Sequence, residues 1–163
     1  MNDLSQVMNY ALCLDDDPKF LRIIERMAEQ IGYLAQGSTD AEDFKWYYRQ
    51  SCPWVVVLDV MLGTNAVFDV IKFLGERQFP GGVIFVSGFD HNFLQAAEES
   101  ARKQNLRVLG SVQKGRGIGK LTILLSSTFI GALPSPEFSS IAELAPPRDA
   151  RPNCLLTLYS DSG

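Results

Sequence analysis

No stretch of this sequence approaches the roughly 18 consecutive apolar residues that a membrane-spanning helix needs. The opening MNDLSQVMNY also lacks the charged flank and apolar run of a signal peptide, so a cytoplasmic protein is expected. Cysteine is scarce. Cys13, Cys52 and Cys154 are odd in number, far apart and without CxxC or histidine spacing, which argues against a disulfide framework or zinc and for reduced thiols. No basic stripe occurs, and the formal charge is -4, so broad attraction to nucleic acid or anionic lipid is not expected. No internal repeat is evident. What remains is the composition of a protein with a real core: 163 residues, 46% hydrophobic and 21% charged, with ten Phe and two Trp. That length suits one α/β domain plus a tail, so a single site should carry the function.

Short apolar runs bounded by turn residues alternate with longer stretches of helical periodicity, in the order βαβαβαβαβα. This is the pattern of a parallel sheet covered by helices on both faces. The strands are expected at Ala11 to Leu14, Tyr33 to Gln36, Trp54 to Leu58, Val83 to Val86 and Arg107 to Leu109. The third and fourth are continuous apolar runs suited to buried central positions. Helices are expected at Pro18 to Gln30, Ala41 to Arg49, Ala66 to Arg77, Asn92 to Gln104 and Gly119 to Ile130, with Asp17 and Pro18 as cap and first-turn residue of the first. After about Leu133, five prolines among Ser and Ala disfavour helix or central strand. The expected division is therefore a domain over 1–132 and a flexible Pro/Ser-rich tail over 133–163, within which Leu155 to Ser160 has the pattern of a short edge strand.

In an open parallel sheet, ligands bind beyond the carboxyl ends of the strands. On this reading strand one ends in Asp15, Asp16 and Asp17, strand three in Asp59 and strand four in Ser87, and strand five is followed by Lys114. Taken singly, each has an ordinary explanation. Asp17 is a helix cap, Asp59 a turn residue, Ser87–Gly88 a strand-to-loop pair and Lys114 a solvated surface group. Jointly they describe a site. Carboxylates brought together repel unless a hard cation takes their oxygens, and Mg²⁺ suits one or two carboxylates with water and phosphate oxygen. A carboxylate also attacks phosphorus to give an acyl phosphate, whose charge a metal and a lysine neutralise.

LCLDDDP (Leu12 to Pro18), VVVLDVML (Val55 to Leu62), IFVSG (Ile84 to Gly88) and SVQKG (Ser111 to Gly115) together resemble the response-regulator receiver domain over residues 10 to 130. The resemblance implies a doubly wound, flavodoxin-like α/β fold with strand order 2-1-3-4-5. It implies a phosphoacceptor of a two-component phosphorelay rather than an enzyme, phosphorylated on Asp59. Mg²⁺ would be held by Asp16, Asp59 and the Met61 backbone carbonyl, with Asp15 acting through water. Ser87 would bond the phosphoryl oxygen and Lys114 would pair with it. The implied donor is a histidine kinase or phosphotransfer protein and the implied output a downstream protein, with homodimerisation open. A narrower likeness, from Val86 to Lys114, is to receivers attached to EAL-type cyclic-di-GMP phosphodiesterases.

Four positions depart from the family pattern. Gly63 stands where proline is usual, Val67 where glycine is usual, Ser111 at the switch position usually held by Tyr or Phe, and Gly115 where a proline usually follows the lysine. They support an alternative, a pseudo-receiver binding module that has lost the switch. A further alternative is a haloacid-dehalogenase-type phosphatase, in which Asp15 and Asp17 form the DxD pair after strand one.

Overall fold

The computed structural model describes residues 9–63 and 65–129. Five parallel strands, β1 (Tyr10–Leu14), β2 (Leu34–Ser38), β3 (Val55–Asp59), β4 (Gly82–Ser87) and β5 (Arg107–Gln113), form one sheet in the order β2-β1-β3-β4-β5. Five helices connect them: α1 (Pro18–Ile31), α2 (Ala41–Ser51), α3 (Ala66–Glu76), α4 (His91–Lys103) and α5 (Ile118–Thr128). The expected fold class and strand order are both found.

Alternation along the central strands divides the core into two layers, because successive side chains of a strand point to opposite faces. Leu12, Leu14, Val56 and Leu58 pack on one face with Phe44, Tyr48, Val70, Ile71 and Leu74 of α2 and α3. Ala11, Cys13, Val55 and Val57 pack on the other with Phe20, Ile24, Leu121 and Leu125 of α1 and α5. With both faces covered, β3 is buried along its whole length. Asp17 caps α1 as expected, its carboxylate accepting from the Lys19 N–H at 2.9 Å.

The structure corrects several boundaries. β5 continues to Gln113 rather than ending at Leu109: its register against β4 shifts between Val83 and Ile84, leaving Leu109 unpaired, and the strand resumes at Gly110. The glycine after Val108 and Leu109, which reads as a stop, marks a bulge. Trp54 precedes β3 instead of belonging to it, and β2 runs from Leu34 to Ser38. Cys13 is a buried free thiol, but Cys52, at the C-terminus of α2, is disulfide-bonded, against the expectation of reduced thiols. No helix among the described residues is long and apolar enough to cross a membrane. The Leu155 to Ser160 run and all of the expected tail over 133–163 lie outside the described residues.

At the turn into β4 the chain passes close to another backbone segment. A Cβ on Gly81 would run into the Trp54 carbonyl oxygen and the Phe79 ring, and that carbonyl already accepts from the Gly82 N–H at 3.2 Å. Because a backbone group cannot rotate away, Gly81→Ala is expected to lower the unfolding free energy by about 1–3 kcal/mol. Gly119→Ala, on α5 with open space around it, is expected to raise it by up to about 1 kcal/mol. Urea denaturation of the two variants checks the contrast, which fails if they shift in the same direction.

Candidate functional site

Because every strand is parallel, the carboxyl ends of β1, β3, β4 and β5 share one edge of the sheet. Backbone bonds fix the register there. Leu14 lies opposite Leu58, and Asp59 opposite Val86. The Val60 N–H donates to the Val86 carbonyl at 3.0 Å, and the Lys114 N–H to the Ser87 carbonyl at 2.8 Å. The strand ends thus bring Asp15, Asp59, Ser87 and Lys114 to one edge, as the sequence pattern suggested. Carboxylate oxygens of Asp15, Asp16 and Asp59 all lie within 4.8 Å of one another.

Asp15 and Asp59 are each only 1% exposed, whereas Asp16 faces solvent. The Lys114 ammonium spans the two buried groups, 2.7 Å from Oδ2 of Asp15 and 3.1 Å from Oδ2 of Asp59. Its Nζ sits 4.8 Å from the centre of the Phe20 ring, a cation–π contact from α1. The remaining oxygens meet backbone donors: Oδ1 of Asp15 accepts from the Asp17 N–H at 2.9 Å and Oδ1 of Asp59 from the Met61 N–H at 3.1 Å. The bond to Lys114 at Oδ2 of Asp59 is a directed hydrogen bond. At Oδ2 of Asp15 the ammonium is close enough for an ion pair, yet this buried oxygen has no aligned donor.

Burial pushes the Asp15 carboxyl above its ordinary range; Lys114 and the Asp17 N–H pull it down, and the charge of Asp59 pushes it up again. For Lys114 the largest single influence, burial, favours the neutral amine. Hydrogen bonding and attraction to Asp15 and Asp59 together outweigh it and hold the ammonium above its usual value. Three carboxylates therefore face one ammonium.

An all-oxygen donor set, excess negative charge and a buried carboxylate oxygen without an aligned donor fit a hard divalent cation of the Mg²⁺ or Ca²⁺ class. Asp17 is not part of this set. Its carboxylate caps α1. The sequence reading missed Phe20, which it placed only in the core. Helical spacing marks such a residue as buried but cannot show that its ring lies beside a lysine about a hundred residues away.

The shared ammonium has a measurable consequence. Removing it in Lys114→Met leaves two buried carboxylates uncompensated, and a loss of about 2–3 kcal/mol is expected. That is below the ~3–5 kcal/mol for a fully buried pair, because the lysine side chain is 26% exposed. Asp15→Asn keeps the shape and removes a desolvated charge, so it is expected to gain about 1 kcal/mol. Urea unfolding with a chelator present checks both signs; a Lys114→Met variant as stable as the parent would show that the ion pairs are not balancing the buried charge.

No family model and no curated protein matches this sequence. Solved structures do match. A response regulator from Colwellia psychrerythraea superposes with a TM-score of 0.65 at 25% identity, over 74% of this chain and 95% of that one. A response regulator receiver domain protein from Clostridium thermocellum gives 0.61 at 18% identity, over 72% and 91%. A response regulator from Burkholderia pseudomallei, whose structure contains a phosphorylated aspartic acid, a calcium ion and citrate, gives 0.60 at 17% identity, over 72% of this chain and 66% of that one. Receiver domains are signalling modules rather than enzymes, and these neighbours support a non-enzymatic reading of this chain. The chain has the receiver-domain fold, with the acidic cluster of Asp15, Asp16 and Asp59 at the carboxyl edge of its central strands.

Proposed function

We propose that this chain is a phosphoacceptor receiver domain of a two-component phosphorelay, phosphorylated on Asp59. One observation carries the reading. A buried aspartate ends the central strand with both oxygens held, one by the Met61 N–H and one by Lys114, beside two more carboxylates. Those contacts fix the direction of the carboxylate before a donor arrives, which removes an orientational cost from the reaction. In the transfer, an Asp59 oxygen forms a bond to phosphorus as the phosphorus–nitrogen bond of a phosphohistidine breaks, and the donor imidazole is the leaving group. Asp15, Asp16, Asp59 and the Met61 carbonyl would hold Mg²⁺. That ion, when bound, offsets the charge of the phosphoryl oxygens. Lys114, already between Asp15 and Asp59, adds a second positive charge, and Ser87, at the end of β4, is the hydroxyl assigned to a phosphoryl oxygen.

The partners under this reading are a histidine kinase or phosphotransfer protein and a downstream protein, in the cytoplasm. The likeness between Val86 and Lys114 directs the search for that output toward cyclic-di-GMP signalling. The receiver comprises residues 1–132, with 133–163 as a separate tail. Relay of the signal cannot use an aromatic rotation at Ser111, so it falls to Ser87 and the surface around α4 and β5. The pseudo-receiver alternative draws on this same serine.

Incubation with acetyl phosphate and Mg²⁺ is expected to add one phosphoryl group to the wild type, seen by intact mass, and none to Asp59→Asn or to the wild type with chelator. Label persisting in Asp59→Asn would sink the assignment. Trp54 is a poor reporter of the metal. It precedes β3 and Asp59 ends it, so at about 3.3 Å per residue they are separated by about 16 Å. Calorimetric titration with Mg²⁺ is the suitable measurement, and absence of heat at millimolar concentrations would favour the pseudo-receiver.

A further inference from the structure

The outer face of α2 is self-complementary. Trp46, at its middle, is 55% exposed, an unusual position for so large an apolar side chain. Asp43 lies three residues before it and Arg49 three residues after, and both are exposed. Residues three apart on a helix are neighbours, so the three form one stripe: acid, indole, guanidinium.

Neither charge is paired with an opposite one among the described residues. Among the described residues, the ion pair on α2 joins Lys45 to Glu42 at 2.7 Å, while Asp43 and Arg49 have no partner of opposite charge within 4.0 Å. The charge of Asp40, first, and then loss of solvation and a hydrogen bond with Asp40 push the Asp43 carboxyl above its ordinary range. At the other end the positive charge is reinforced and held in place. The Arg77 guanidinium stacks 3.8 Å from the centre of the Phe73 ring, and that of Arg49 lies 5.5 Å from the same ring. Arg77 also has no carboxylate partner among the described residues. An acid in the first turn and a base in the last turn suit the helix dipole in any monomer. The dipole does not explain an exposed tryptophan centred between them.

We propose that α2 is a homodimer interface, in which α2 packs antiparallel against α2 of a second copy about a two-fold axis at Trp46. A two-fold contact requires a patch that complements itself. In this register Trp46 meets its symmetry mate, and Asp43 of each copy faces Arg49 of the other, with Arg77 alongside. A second copy fits the stripe better than a uniformly acidic partner, which would leave Asp43 facing like charge, and better than nucleic acid, which would meet Asp40, Glu42 and Asp43. The helix has 11 residues, about 16 Å of length, so the contact is small and the dimer weak and salt-sensitive. It does not depend on phosphorylation, and Asp59→Asn is expected to dimerise equally.

Sedimentation velocity of the full chain over a concentration series at low salt tests this. The expected result is a monomer–dimer equilibrium, weakened about 30-fold by Trp46→Ala and at least about tenfold by Asp43→Arg or Arg49→Asp alone. The double variant Asp43→Arg/Arg49→Asp restores the dimer. An equimolar mixture of the two single charge variants forms a heterodimer, since one copy then carries two bases and the other two acids. All three positions are exposed, and circular dichroism of each variant checks that it folds. The proposal is overturned by a chain that stays monomeric throughout, by a dimer indifferent to these substitutions, or by a monomer that instead binds a polyglutamate peptide.

Discussion

The interaction on which the site depends is the one ammonium shared by two buried carboxylates. Asp15 and Asp59 end adjacent central strands, and parallel pairing of β1 with β3 fixes their neighbourhood whatever their charge. Two desolvated anions at that spacing oppose the pairing that creates them. Lys114 reaches both because β5 ends on the same edge, and its N–H is tied to the Ser87 carbonyl at 2.8 Å. The lysine therefore lets β1, β3, β4 and β5 end together, but it does not neutralise the cluster. With Asp16 included, the edge keeps an excess of negative charge and an oxygen of Asp15 without an aligned donor. A fold that needed only stability would be better served by apolar residues here.

Most of the architecture was legible because its signals are local. Apolar runs ending in Asp15, Asp59 and Ser87 are short and flanked by turn residues, so strand identity, order of elements and the edge holding the site could all be read from spacing. The cap at Asp17 was legible for the same reason. What escaped depends on non-local geometry. Gly110 resembled a strand end because a bulge leaves the same local trace as a stop, and only pairing with β4 distinguishes them. The contact of Phe20 with Lys114, and the sharing of that ammonium between Asp15 and Asp59, are products of packing across the sheet and have no counterpart in any single segment.

The departures at Gly63 and Gly115 have a backbone cause. Gly63 adopts φ +41° and Gly115 φ +90°, conformations closed to proline, whose ring holds φ near −65°. The loops after β3 and β5 therefore follow a course in which the usual residue is not an option, and Lys114 still comes within 3.1 Å of Asp59. Val67 also has a use: it is fully buried and packs in the layer between the sheet and α2, α3 and α4. These three substitutions alter how the loops are built and leave the charged groups together, so they weigh little for a degenerate site. Ser111 is different. It lies on β5 opposite Phe85, and no backbone feature compensates for an absent aromatic ring there.

That asymmetry bears on how a signal would leave the domain. If a rotating ring at position 111 is not available, a change at Asp59 reaches the surface through groups in contact with the site. Of these Ser87 and Lys114 are joined by a backbone hydrogen bond between β4 and β5. A phosphoryl group on Asp59, under the proposed function, would compete directly for the ammonium that Asp15 shares. Any shift of Lys114 toward the phosphoryl oxygens leaves Asp15 with less compensation, and a cation at the cluster offsets that loss. Under the proposed function, metal and modification would therefore be coupled through Asp15, by the excess of carboxylate over ammonium at this edge.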